Sequence, residues 1–114
     1  MIGNSIFTRR KEKLKSPADR LVRGQYFVAK GDIDRAIMEY KKALDRNPEH
    51  LVGNYFMGNA CFAKSCEVLD KDKNEHIRWE CEAKKYYHYV LRRCQDNIIA
   101  ESAQKKLSTI EAGS

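Results

Sequence analysis

Between Ile33 and Leu44 the apolar side chains Ile33, Ala36, Ile37, Tyr40, Ala43 and Leu44 recur at i, i+3, i+4, i+7, i+10 and i+11. That spacing aligns one face of a helix with 3.6 residues per turn, and a strand, whose faces alternate with period two, cannot satisfy it. Asp32 precedes the run as an N-cap, and Asn47-Pro48 closes it because proline drives the residue before it out of helical conformation. The same signals divide the rest of the chain. Ser16-Pro17 pairs a capping serine with a first-turn proline, and Lys30-Gly31-Asp32 places glycine where a helix ends, so a first helix is expected over 17–30. A third helix is expected from near Glu49 to Leu69, followed by a loop at the polar run Asp70 to Asn74. The fourth carries Trp79, Ala83, Tyr86, Tyr87, Val90 and Cys94 on one face and reaches about Arg93, and the last aligns Ile99, Ala103, Leu107 and Ile110. No segment alternates strictly, so the fold class is all-α: about five helices joined by short turns.

The chain's 114 residues suffice for one domain. Six glycines and two prolines with 42% hydrophobic residues exclude collagenous, mucin-like and disordered classes. The net charge of +6 is uneven, because Arg9, Arg10, Lys11, Lys13 and Lys15 face only Glu12 and put four of the six charges into residues 1–16. Those residues read as a basic, flexible N-terminal arm ahead of a nearly neutral domain over 17–111. Such an arm is either a solvated terminus or a contact for nucleic acid or an acidic membrane surface. No apolar run approaches the roughly 18 residues of a membrane span, and no secretory signal is present, so a cytoplasmic location is expected. Cys61, Cys66, Cys81 and Cys94 fall within helical segments and are expected as reduced thiols.

Helices of about 14 residues arranged in pairs call for a search for repeats. Residues 17–50 resemble a tetratricopeptide repeat, a 34-residue helix-turn-helix unit, through Gly24, Phe27, Ala36, Tyr40, Ala43 and Pro48. Arg20 and Arg23 depart from the family pattern, and both are expected on a side that faces water. A second, extended repeat over 51–96 carries Met57, Gly58, Ala83 and Tyr87 at matching positions once about 13 residues are inserted, which lengthens both of its helices. Residues 97–111, with Glu101, Gln104, Lys105, Lys106 and Glu111 on the polar side, are similar to the capping helix such arrays carry. The resemblance implies an α-α superhelix and a concave groove that grips a peptide or helix of another protein. The groove positions carried over to this chain are Leu21, Gln25, Val28, Val52, Tyr55, Asn59 and Phe62. The lysine and asparagines with which relatives hold an acidic chaperone C-terminus are replaced here by Leu21, Gln25 and Phe56.

Catalytic chemistry finds little support. Cys61, Cys66, Cys81, Cys94, His76 and His88 follow neither of the spacings of a zinc site, so no metal is expected and the cysteines serve as small apolar side chains. His50, His76 and His88 have no adjacent nucleophile, and Gly53-x₄-Gly58 lacks the Lys-Ser/Thr of a phosphate loop. No catalytic residue, cofactor or small-molecule substrate is therefore assigned. The expected function is a non-catalytic adaptor or scaffold binding another protein, with self-association open. The alternative is a nucleic-acid- or acidic-membrane-associated protein acting through the basic arm. Tyr86, Tyr87 and Tyr89 among Lys84, Lys85, Arg92 and Arg93 suit either a stacking platform or core packing, with Tyr89 alone off the core stripe.

Overall fold

The computed structural model describes residues 16–94 and 97–113. The arm cations Arg9, Arg10, Lys11, Lys13 and Lys15 lie outside the described residues. Five helices follow one another: α1 (Pro17–Ala29), α2 (Ile33–Arg46), α3 (Leu51–Val68), α4 (Lys73–Arg93) and α5 (Ile98–Ala112). There is no strand among the described residues.

The helix boundaries follow from local chemistry. Ser16 and Asp19 exchange side-chain and backbone bonds at the start of α1, a reciprocal capping box, and Gly31 takes φ 80° at its end, where a side chain would strain the backbone. Asp32 caps α2 through the backbone N–H of Arg35. The start of α3 was less legible. Helix begins at Leu51 rather than Glu49, because His50 Nδ1 accepts from Gly53 N at 3.0 Å and serves as the cap. The corner before it is tied by buried Asn54, whose Nδ2 donates to the Pro48 and His50 carbonyls at 3.0 and 2.8 Å. The loop expected over Asp70 to Asn74 is shorter: Asp72 accepts from the N–H groups of Asn74 and Glu75, which draws Lys73 and Asn74 into α4.

Each helix packs on its predecessor, and α1 touches α3 as α3 touches α5, while α2 and α4 do not meet. The backbones of neighbouring odd-numbered helices thus come into contact, whereas those of α2 and α4 do not. Central α3 buries Gly53, Asn54, Met57, Gly58, Ala60, Cys61, Ser65 and Val68 along a band of about 160°, and its remaining side chains from Leu51 to Lys64 are half-buried, so no exposed residue appears before Cys66.

Two helix pairs are built on one device. A Cβ at Gly24 would stand 2.2 Å from Tyr40 Cε1, and a Cβ at Gly58 would stand 2.7 Å from Tyr87 Cε1. In each pair a glycine thus admits a fully buried tyrosine ring from the following helix. Gly24 and Gly58 are 34 residues apart, whereas Tyr40 and Tyr87 are 47 apart. The difference is absorbed by longer helices, 18 and 21 residues in the second pair against 13 and 14 in the first. Buried Ala36, Ala43 and Ala83 keep the facing backbones close.

Arg20 does not face water as expected. Its side chain is 12% exposed and pairs with Glu39 at 3.1 Å, and Arg23 approaches the same buried carboxylate at 3.6 Å. Arg20 thus occupies the α1–α2 seam as the nearest of three cations, with Arg23 and Lys42, around the carboxylate that α2 buries there.

Candidate peptide-binding face

Of the residues assigned to a groove, α1 supplies Leu21, Gln25 and Val28, and α3 supplies Val52, Tyr55, Asn59 and Phe62. Leu21 is 5% exposed and belongs to the core, so it offers no surface to a ligand. Val28 is 38% exposed and Gln25 is exposed, while Val52, Tyr55, Asn59 and Phe62 are half-buried with their apolar members packed on the core.

The two amides are held by the tyrosines of the paired-helix device. Tyr40 Oη donates to Gln25 Oε1, and Tyr87 Oη donates to Asn59 Oδ1 at 2.7 Å. Gln25 and Asn59 follow the two glycines and are likewise 34 residues apart. Burial favours the neutral phenols: it pushes Tyr40 up to about 12, and it raises Tyr87 further, with help from Tyr55 and Cys61. Both hydroxyls therefore remain donors, each amide oxygen is engaged, and each amide nitrogen is left as an uncommitted donor among the described residues.

Tyr55 is the aromatic centre of this face. Its ring lies 6.2 Å from Tyr87 and 6.1 Å from Phe56, centroid to centroid, and Lys106 Nζ of α5 lies 5.8 Å from its own centroid. Lys106, expected on the outer polar side of the last helix, instead turns toward α3. Its position on α5 is one turn from buried Ala103 and beside Leu107 and Ile110, so a helix aligned by those residues carries Lys106 at the edge of its packed face. The face thus combines apolar Val28, Val52, Tyr55 and Phe62 with three nitrogen donors and can hold an extended or helical segment by apolar contact and hydrogen bonds to its carbonyls.

The other candidates resolve differently. His76 is bound on both sides, with Nδ1 2.7 Å from the Ser65 carbonyl and Nε2 3.5 Å from Glu80 Oε1. No group of three or more His, Cys, Asp or Glu side chains converges to hold a metal ion among the described residues. All four cysteines are free thiols, but the expectation that they pack as small apolar side chains holds for Cys61 alone, since Cys66 and Cys81 are exposed and Cys94 is half-buried; burial, reinforced by Glu82, pushes the Cys61 thiol up to about 12. Tyr87 belongs to the core, Tyr86 lines a cleft with Ile37, Met57 and Trp79, and Tyr89 stays half-buried with the Arg93 guanidinium 5.1 Å from its ring centroid. No helix among the described residues is long and apolar enough to cross a membrane.

Sequence inspection missed Lys106 and the coupling of the amides to the tyrosines. The second had a visible signal, a Gly-amide dipeptide recurring after 34 residues with a tyrosine downstream each time. Comparison of the chain with family models, curated proteins and solved structures finds no match.

Proposed function

We propose that the chain is a tetratricopeptide-like, non-catalytic adaptor that holds a peptide or helical segment of a partner protein against the face formed by α1, α3 and α5. One observation carries this proposal: the repeated Gly–Tyr–amide unit, which leaves the Gln25 and Asn59 nitrogens uncommitted beside Val28 and Tyr55. A buried tyrosine that fixes a surface amide performs a task beyond filling the seam, since it orders a donor where a partner's backbone would lie. The tetratricopeptide assignment is supported by the 34-residue offset and by the contacts of α3 with both α1 and α5. Four free thiols fit a reducing compartment, and we place the adaptor in the cytoplasm on that ground.

The test is selection from a displayed library of random peptides, followed by binding measurements on variants. Tyr55→Ala removes the central ring, but that ring also packs on Tyr87, so Val28→Asp and Lys106→Glu are measured beside it as variants that touch the core less. Selected peptides should lose affinity for all three, while Val28→Asp and Lys106→Glu keep the parent's melting within about 1 kcal/mol. Peptides that bind all three variants as they bind the parent would remove the groove from consideration.

A further inference from the structure

From Ala83 to Arg93 α4 contains Lys84, Lys85, His88, Arg92 and Arg93 and no carboxylate. At 3.6 residues per turn these positions form two adjacent rows, Lys84–His88–Arg92 and Lys85–Tyr89–Arg93, with members about 6 Å apart along the axis. Both rows lie away from Ala83, Tyr87 and Val90, the buried face of the helix. His88, Lys85, Arg92 and Arg93 are exposed and Lys84 is half-buried.

Elsewhere many cations have carboxylate partners: Arg20, Arg23 and Lys42 on Glu39, Arg35 on Asp32, Lys64 on Asp34 and Arg78 on Glu75. On this stretch only Lys85 is so paired, with Glu82 at 3.0 Å, and Lys84, Arg92 and Arg93 have no carboxylate among the described residues. Two arginines in a last turn help a helix by facing its carbonyl end, but that effect fades within the turn and does not account for Lys84 or Lys85. The Arg93 guanidinium lies over the Tyr89 ring, 5.1 Å from its centroid, and is exposed, so a second planar group can reach it.

We propose that the exposed face of α4 between Lys84 and Arg93 binds single-stranded nucleic acid, independently of the groove on the odd-numbered helices. The unpaired cations meet successive phosphates of the strand, and a base stacks on the Arg93 plane backed by Tyr89. An anionic membrane is the poorer fit because this stretch exposes no large apolar side chain to enter the acyl boundary. An acidic protein segment offers carboxylates for the cations and a ring only where it happens to carry an aromatic residue, whereas every nucleotide brings a phosphate and a ring together.

The experiment is fluorescence anisotropy of a labelled single strand of about 16 nucleotides with the full chain, titrated between about 50 and 200 mM salt. The fourfold variant K84Q/K85Q/R92Q/R93Q should bind at least about tenfold more weakly and lower the salt slope by about 2, three lost contacts at about 0.7 each, since Lys85 is already held by Glu82. Unchanged helical circular dichroism separates that loss from unfolding. R93K keeps the charge and removes the plane, so it should weaken binding with little change in slope. R9Q/R10Q/K11Q/K13Q/K15Q, made in the arm, should retain the strand. The proposal is overturned if the fourfold variant binds like the parent, if R93K binds like the parent, or if the arm variant abolishes binding. Equal capture of phosphatidylserine vesicles, or displacement of the strand by polyglutamate at equal charge, would also overturn it.

Discussion

Replacing Gly24 with alanine adds one methyl group to a helix, a change that in an exposed helix interior stabilises by about 1 kcal/mol. Here the opposite is expected. The new Cβ would lie 2.2 Å from Tyr40 Cε1, 2.7 Å from Cδ1 and 2.8 Å from Cζ, whereas ordinary contact begins near 3.4 Å. The ring must therefore withdraw by about 1 Å, yet it is fully buried and its hydroxyl is tied to Gln25. Overpacking of this severity costs about 3 kcal/mol, the upper end of the usual range, and subtracting the propensity gain leaves a net loss of about 2 kcal/mol. For a domain of this size the melting temperature falls by about 8 to 16 °C. Gly58→Ala should behave similarly but more mildly, since its contacts with Tyr87 are 2.7, 2.9 and 3.2 Å. Gly53→Ala is the control: its closest neighbour is the Leu44 Cδ2 methyl at 3.1 Å, the end of a side chain that can turn aside, so this variant should melt at or above the parent. Thermal unfolding followed by far-ultraviolet circular dichroism ranks the three. Gly24→Ala melting at or above the parent would refute the glycine–tyrosine device.

Stability should decline in alkali, because burial holds the Tyr40 phenol up to about 12 while the unfolded chain releases that proton near its ordinary value of about 10. The contribution is present in full below about pH 10 and is lost as pH rises through about 12, a fall of about 2 to 3 kcal/mol that urea midpoints should record and Tyr40→Phe should reduce. An unchanged alkaline slope in Tyr40→Phe would contradict it. Ala36→Leu and Ala43→Leu should each cost about 1 to 3 kcal/mol, since both alanines are buried where α1, α2 and α3 converge, and unchanged melting curves would show room that the seam does not have. Chelators should leave the melting temperature unchanged, and a stoichiometric zinc ion in the purified protein would overturn the reading of the cysteines as free thiols without a metal.

α2 was readable in the sequence because it buries a single stripe and exposes the rest, so its periodicity states its orientation. α3 was readable as a helix but not as the centre of the array, because none of its side chains from Leu51 to Ser65 is exposed and no polar face marks its direction. The cap at His50 and the early start of α4 at Lys73 depended on which side chain would reach a free N–H, and several polar residues stood near each boundary. Arg20 was misplaced because its charge suggests water, and the carboxylate that draws it into the seam lies 19 residues along the chain. Of the candidate face, the exposed and half-buried side chains were identified from the repeat pattern. Leu21 was lost to the core, and Lys106 was gained only when the register of α5 against α3 was visible.

The central claim is that the face shared by α1, α3 and α5 receives a partner segment. Amide chemical-shift mapping of the isotope-labelled chain with a library-selected peptide tests it most directly, because it reports every residue at once. The account predicts saturable shifts at Gln25, Val28, Val52, Tyr55, Asn59, Phe62 and Lys106, with the exposed side of α2 unmoved. Shifts confined to α2 and α4, leaving Val28, Tyr55 and Asn59 unchanged, would contradict it.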